Sequence, residues 1–364
     1  MDVGEATLAM PCEKALDIAS ISLYSVAHTS AQHITMENTR MMPKEMVGFI
    51  EDDITRVEAA IAKHLTSEVS FISDVSRYVL SSGGKRIRPV LLILSARLCH
   101  YIGERLYDLS AVIEFIHTAT LLHDDVIDNA SLRRGNPTVH TLWGNEMAIL
   151  IGDYLYSKAM SLALADKDHL VMQTVSEVTV EMAKGQVIET LKLRDLSISE
   201  ADYYRIIALK TASLFAASCT IGAVLGGMTP TQRARVSAFG HHLGLAFQMA
   251  DDTLDFVAPE AKLGKPVHND LKEGKITLPI IVAMQRASTR EAQVIVDYLH
   301  SEQATDADLQ QVIALLHKYG TLQFTLDKAQ EHVTQARQCL DGFAPSPALE
   351  ALHVLADYVV ARDV

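Results

Sequence analysis

A chain of 364 residues is about two and a half times the length of a typical domain, so length alone allows two domains or one large one. Hydrophobic residues make up 49% and charged residues 21%, enough apolar surface to offset the entropy of ordering and to exclude global disorder. Thirty-two Lys and Arg against 45 Asp and Glu leave a net charge of −13, which argues against nucleic acid as a partner, because a phosphate backbone calls for an extended basic face. Cys12, Cys99, Cys219 and Cys339 form no CxxC pair, so neither a disulfide framework nor a structural zinc site is expected, and a reducing compartment is.

In chain order, residues 1–42 read as a loosely structured extension. Asp2, Glu5, Glu13 and Asp17 do not suit an acid-poor organellar presequence, and no basic-then-apolar secretory pattern is present. From Pro43 to the end the sequence reads as one domain, 43–364. Met46, Ile50, Ile54, Val57, Ile61 and Leu65 recur at helical spacing, and the same period returns throughout. It predicts helices over 44–65, 69–81, 88–101, 108–128, 138–165, 168–194, 199–226, 231–257, 276–287, 306–319, 321–341 and 347–362. The breaks fall at Gly83-Gly84, Gly135-Asn136-Pro137, Thr229-Pro230 and the segment from Gly264 to Gly274. No run alternates with period two for long enough to build a sheet, so the fold class is all-α. The uncharged stretch from Thr211 to Gln232 carries four Thr, two Ser, three Gly and a Pro, and reads as a buried core helix rather than a membrane span. The chain ends in Arg-Asp-Val, not a Ser-Lys-Leu peroxisomal address. A soluble intracellular protein is expected, in the cytoplasm or an organelle lumen.

One carboxylate pattern occurs twice, as Asp124-Asp125-Val-Ile-Asp128 and Asp251-Asp252-Thr-Leu-Asp255, each near the end of a long apolar helix. Residues i and i+4 share a helix face, so Asp124 pairs with Asp128 and Asp251 with Asp255. Like charges so placed repel, and at the negative end of a helix dipole they are costly without a cation. Oxygen donors with neither Cys nor a tight His cluster suit a hard ion such as Mg²⁺, which binds through carboxylates together with substrate phosphates. A solvated acidic helix end would explain one such motif; two, each following apolar residues, point to metal. Cations for an anionic partner cluster nearby. Gly83-Gly84-Lys85-Arg86-Ile87-Arg88-Pro89 joins a tight turn to a helix start, where backbone N–H groups and three basic side chains can hold a diphosphate. Arg133-Arg134 follows the first motif by five residues, and Lys210-Thr211, Gln248, Lys265 and Lys275 add donors, although each alone reads more simply as surface.

Together these residues resemble the trans-prenyl diphosphate synthases, over roughly residues 45–362. The likeness rests on the Gly83–Pro89 segment, His117, both aspartate motifs, Arg133-Arg134-Gly135-Asn136-Pro137-Thr138, Gly152-Asp153-Tyr154-Leu155, Gly185-Gln186, Lys210-Thr211, Phe247-Gln248 and Gly264-Lys265-Pro266. The resemblance implies the isoprenoid synthase helical bundle around a deep central cavity, normally a homodimer. It implies two or three Mg²⁺ ions bridging diphosphate to Asp124, Asp125, Asp128, Asp251 and Asp255, with Asp252 also in the catalytic set. The allylic diphosphate would take Arg133, Lys210, Thr211, Gln248, Lys265 and Lys275, and isopentenyl diphosphate Lys85, Arg88, His117 and Arg134. His117 has a plainer reading as a buried helix histidine, since Phe115 and Ile116 precede it.

Within that family, the Val-Ile between the aspartates of the first motif looks like the long-chain subgroup that makes quinone side chains, such as octaprenyl, solanesyl or decaprenyl diphosphate synthases. A solanesyl-type product for ubiquinone is the expectation. Product length also has a residue-level argument. Ala119 and Thr120 lie one turn before Asp124 and Ile116 two turns before it, so no aromatic closes the first layer of a product tunnel. The small residues of 211–227 would add wall, or simply allow close helix packing. The alternatives are a geranylgeranyl or farnesyl synthase plugged from another helix, a terpene cyclase, and an inactive partner subunit of a heteromeric synthase. Contact with a membrane is expected only through the product.

Overall fold

The computed structural model describes residues 44–81, 83–257, 268–301 and 303–361, so the extension 1–42 and the segment containing Gly264, Lys265 and Pro266 lie outside the described residues. Helices α1 (Lys44–His64), α2 (Ser70–Ser81), α3 (Ile87–Arg97) and α4 (Arg105–Ile127) come first. The stripe read from α1 is its core face: Ile50, Ile54, Val57, Ile61 and Leu65 are all buried. Five consecutive residues of α3, Val90–Leu94, have no exposed surface, so this helix is enclosed on every side.

A two-residue antiparallel ribbon, β1 (Leu132–Arg133) with β2 (Asn136–Pro137), follows α4. It is the one sheet among the described residues. The single helix expected over 138–165 is two, α5 (Val139–Trp143) and α6 (Asn145–Ala165), because Gly144 at φ +88° adopts a backbone conformation that side-chain-bearing residues avoid. Next come α7 (His169–Leu191) and α8 (Glu200–Ile207). The helix expected over 199–226 widens into a π-helical segment at Ala208–Ala212 before α9 (Ser213–Leu225) resumes the α form. The path from Glu200 to Leu225 is long and apolar enough to cross a membrane, but α9 is a core helix: Leu214, Phe215, Cys219 and Ile221 are fully buried. Its small residues serve close packing against α3 and α10 (Pro230–Val257).

The remainder is α11 (Asn269–Glu273), α12 (Leu278–Arg286), α13 (Thr289–His300), α14 (Asp306–Lys318), α15 (Thr321–Cys339) and α16 (Pro347–Ala361). Neither α11 nor α13 was expected. The start of α13 did carry a signal, since Ser288 and Glu291 form a reciprocal capping box, whereas five-residue α11 is too short for its period to show. The ends of α3 and α7 fall short of the expected 101 and 194, where His100 and Arg194 take left-handed backbone conformations.

One ion triad ties the first helices together. Arg86 takes a left-handed conformation at the mouth of α3 and turns inward, pairing with Glu58 of α1 at 2.7 Å and Glu114 of α4 at 2.9 Å and donating to the Leu80 carbonyl at 2.8 Å. This corrects the reading of three diphosphate-holding cations in the loop: Arg86 is structural. Removing one partner of a buried ion cluster strands the other charges away from water. Arg86→Ala is expected to cost about 3–5 kcal/mol in a denaturant titration, and a loss under 1 kcal/mol would show that the triad is not what joins α1, α3 and α4.

Candidate active site

The first aspartate motif occupies the last turn of α4. The Asp128 amide donates to the Asp124 carbonyl at 2.8 Å, so the two residues stand one helical turn apart, as the i, i+4 spacing requires. Each carboxylate has a different counter-charge. Arg133, at the start of the β-ribbon, donates through Nε to Asp125 at 2.7 Å and brings Nη2 to 2.6 Å. The ammonium of Lys275 lies 2.7 Å from Asp128 and 2.8 Å from Glu273, and that of Lys210 is 3.4 Å from Asp124 and in contact with Glu189. Burial raises the pKa of both Asp124 and Asp125, opposed by Lys210 and Arg133 respectively. Burial likewise works against the Lys210 and Lys275 ammonium groups, yet the surrounding carboxylates outweigh it and hold both pKa values above the ordinary lysine range.

The second motif is less uniform than its spacing suggests. Asp251 is exposed, Asp255 fully buried, and Asp252 turned into the bundle. A hydrogen-bonded chain holds Asp252: the Thr211 hydroxyl donates to Gln248 Oε1 at 2.7 Å, Gln248 Nε2 donates to Asp252 at 2.8 Å, and the Tyr203 hydroxyl donates to its other oxygen at 2.6 Å. Burial, with Asp270 adding repulsion, pushes the Asp252 carboxyl up to about 8. Asp255 accepts the Asp270 amide at 3.1 Å, and the Lys275 amide returns to the Asp270 carbonyl at 2.9 Å. Through α11, the two aspartate motifs are therefore linked: Asp255 to Asp270 to Lys275 to Asp128.

Among the described residues no three carboxylate, thiol or imidazole groups already converge on a cation position. The lysines hold the carboxylates apart while balancing their charge. The donor set nonetheless fits a hard divalent ion: Asp124 and Asp128 share one face, their oxygens border solvent, and their present partners are flexible ammonium groups. A cavity of about 110 Å³ opens beside them, lined by Glu189, Lys210, Thr211, Gln248, Asp252 and Lys275 among others. A smaller pocket of about 20 Å³ is lined by Arg86, Glu114, His117, Arg133 and Arg134 among others. The π-helical turn that carries Lys210 packs on α7 at Gly185, where an added Cβ would lie 2.7 Å from the Lys210 amide nitrogen. That close approach accounts for Gly185 and aims Lys210 at Asp124.

A second group of basic side chains lies near His117. Arg88 Nη1 lies 3.1 Å from His117 Nε2, and its guanidinium stacks over Phe215, 4.9 Å from the ring centroid. Arg134 packs against the tight turn, so that a Cβ on Gly84 would meet its Nη1 at 2.9 Å. The smaller pocket adjoins His117 and Arg134, and Lys85 reaches over Tyr358 of α16, 5.4 Å from its ring centroid. Among the described residues no carboxylate stands within salt-bridge distance of Arg88 or Arg134, and Arg88 Nε is buried without a hydrogen-bond partner. Burial lowers both guanidinium pKa values to about 10 and holds His117 well below its usual range, with Arg88 and Arg134 repelling its proton. Arg88 and Arg134 are thus brought to His117, while Lys85 lies over Tyr358. Sequence reasoning missed Tyr203, Glu189, Asp270 and Glu273; of these only Glu189, three residues after Gln186, stood near a quoted motif.

The residues expected to bear on chain length lie on α4, on either side of His117. Ile116 and Ala119 are fully buried, and Thr120 is partly exposed, its hydroxyl donating to the His117 carbonyl at 2.7 Å.

A helical bundle with paired aspartate motifs beside two cation clusters is the architecture of enzymes that act on isoprenoid diphosphates. The sequence pattern of the polyprenyl synthetase family matches residues 69–316, and the chain belongs to that family. It is a prenyltransferase. The chain is 38% identical over 311 residues to octaprenyl diphosphate synthase of Escherichia coli strain K12, covering 85% of this chain and 96% of that one. It is 37% identical over 292 residues to a short chain isoprenyl diphosphate synthase of Methanothermobacter thermautotrophicus, covering 79% and 89% respectively. Its structure superposes on a polyprenyl synthase from Caulobacter crescentus CB15, crystallised with calcium and isoprenyl diphosphate, with a TM-score of 0.85 and 36% identity over 88% of this chain and 98% of that one.

One contribution to the pH dependence of stability comes from His117, opposed in sign by the raised Asp252 carboxyl. Its folded pKa lies below its unfolded value of about 6.5, so below that pH the unfolded chain binds the extra proton and stability falls as pH drops through the window. His117→Gln is expected to flatten this part of the stability profile between pH 7 and pH 5, measured by urea titration. An unchanged slope would mean that the imidazole is not held neutral by Arg88 and Arg134.

Proposed function

We propose that this prenyltransferase condenses isopentenyl diphosphate with an allylic diphosphate, in the presence of Mg²⁺, to make a long-chain all-trans polyprenyl diphosphate of the octaprenyl-to-decaprenyl class, a quinone side chain of solanesyl type included. The observation that carries the reading is the unlike character of the two cation clusters. One is interleaved with carboxylates (Lys210 and Lys275 with Asp124, Asp128, Glu189 and Glu273); the other, half-buried Arg88 and exposed Arg134 around His117, has no carboxylate at salt-bridge distance among the described residues. An acceptor-only diphosphate satisfies the second directly, whereas the first answers a diphosphate accompanied by cations. Two diphosphates, one ionising and one intact, are what head-to-tail condensation requires; a cyclase has one diphosphate and no use for the second cluster.

Asp124, Asp125 and Asp128 on α4 and Asp251 and Asp255 on α10 would hold Mg²⁺ against the allylic diphosphate. The bound ion would supply Lewis-acid stabilisation of departing diphosphate. Around it, Arg133, Lys210, Lys265 and Lys275 bind the phosphates, and Thr211 and Gln248 orient them through the chain that ends on Asp252 and Tyr203. Donors fixed in a site of low water content stabilise the charge that develops as the C–O bond breaks. Lys85, Arg88, His117 and Arg134 hold isopentenyl diphosphate so that its double bond faces the allylic carbon. Neutral His117 donates or accepts a hydrogen bond without adding a fixed charge.

Likeness to both long-chain and short-chain synthases leaves product length to the tunnel residues, and Ala119 and Thr120 support the longer product, since neither bears a ring. A homodimer is supported by an uncovered apolar surface on α6 and α7, where Leu150, Leu164, Val187 and Leu191 are each more than half exposed. Sedimentation as a monomer would remove that part of the reading.

Asp124→Ala and Asp251→Ala are each expected to lower turnover by on the order of 10²–10³-fold with the fold intact, by analogy with the loss of one transition-state-stabilising group. Near-normal rates at saturating substrate would overturn the metal assignment. Incubation of the purified protein with Mg²⁺, labelled isopentenyl diphosphate and farnesyl diphosphate should give a long-chain product by mass spectrometry. Ala119→Phe, or Thr120→Phe if the buried ring at 119 unfolds the protein, should stop elongation at about C15–C20, by the estimate of one helical turn per C5 unit. A long-chain product from both variants would show that the tail runs along another helix.

A further inference from the structure

Away from the aspartate motifs, the interface between α10 and α15 contains a pair of imidazoles in unusual contact. Nδ1 of His242 lies 3.1 Å from Nδ1 of His332, with the rings stacked at 27° and their centroids 5.3 Å apart. His241 and Tyr204 border the pair, at ring-centroid distances of 5.8 Å from His242 and 6.0 Å from His332. His242 and His332 are only partly buried. Without a metal the contact is a hydrogen bond in which one Nδ1 donates and the other accepts, so the two rings take opposite tautomers. Both rings are held neutral by burial, which leaves ring lone pairs available.

Two nitrogens bound to one metal at about 2.0–2.1 Å stand roughly 2.9 Å apart in an octahedral shell and roughly 3.3 Å apart in a tetrahedral one. The observed separation falls between these. We infer that His242 and His332 form a bidentate site for a divalent first-row transition ion, Zn²⁺, Ni²⁺ or Cu²⁺, that clamps α10 to α15. Imidazole selects these ions over Mg²⁺ and Ca²⁺, whose preferred donors are carboxylates, carbonyls and water. Among the described residues no third imidazole, thiol or carboxylate completes a cluster, so water fills the remaining coordination positions. His242 precedes Asp251 by nine residues, about 14 Å along α10, which sets this site apart from the aspartate motifs.

The test is isothermal titration of the full chain with Zn²⁺ in excess Mg²⁺, which saturates the carboxylate sites, comparing wild type with His242→Asn and His332→Asn. Wild type is expected to bind one more equivalent of Zn²⁺ than either variant, and Zn²⁺ should raise its melting temperature but not theirs, because a ligand that binds only the folded state stabilises it. Asn retains a hydrogen-bonding side chain. Should either variant melt early without metal, His332→Gln and the nitrogen hyperfine pattern of bound Cu²⁺ in electron paramagnetic resonance replace it; two coordinated imidazoles in wild type and one in the variant are expected. Equal Zn²⁺ stoichiometry and equal melting shifts in all three proteins, or a Cu²⁺ spectrum unchanged by the substitutions, would overturn the inference.

Discussion

Crowding of carboxylates at poorly hydrated helix ends is the constraint around which this site is built. Asp124, Asp125 and Asp128 sit where the α4 dipole is negative, and burial raises the pKa of the first two. Left alone, such a cluster would take up protons or push the helix end into water. Lys210, Lys275 and Arg133 instead each claim one carboxylate, and each arrives from a different part of the chain. The π-helical turn, the α11 segment and the β-ribbon are consequently the irregular pieces of an otherwise regular bundle, because each delivers a cation that a straight helix would not place there.

The same physics, run with the opposite sign, shapes the other half. Arg88, Arg134 and His117 are gathered against Phe215 and the Gly83-Gly84 turn, with no carboxylate at salt-bridge distance among the described residues. Glu114, a carboxylate whose charge acts on both Arg88 and Arg134, is taken by Arg86. A partly desolvated cation such as Arg88, whose Nε has no hydrogen-bond partner, carries a free-energy cost that an anionic ligand offsets. The Arg86 triad therefore has two consequences: it joins α1, α3 and α4, and it withholds from Arg88 and Arg134 the carboxylate that would otherwise quench them.

Reading by period succeeded where one face of a helix is buried over several turns. The stripe of α1 and the long helices α4, α7, α10 and α15 follow that rule. It failed where geometry depends on a neighbour. The break at Gly144 lay inside an unbroken apolar pattern, and the π-helical turn at Ala208–Ala212 leaves no trace in the spacing of apolar residues, because it is set by contact with α7 at Gly185. Asp252, placed in the catalytic set but not among the metal ligands, is turned by helix rotation toward Tyr203 and Gln248, partners its local spacing does not reveal.

What the sequence determined by itself was composition-level fold class, the i, i+4 pairing of the aspartates and the identity of the basic and polar residues around them, since these depend only on local helical geometry and on motifs close together along the chain. Which cation meets which carboxylate was decided by the tertiary structure alone. Arg86 and Arg88 are two residues apart and chemically identical, but the left-handed turn at Arg86 sends one guanidinium inward to Glu58 and Glu114 and leaves the other beside His117. That division rests on where α1 and α4 pack, and Glu58 lies 28 residues before Arg86 while Glu114 lies 28 after it, a separation no local pattern spans.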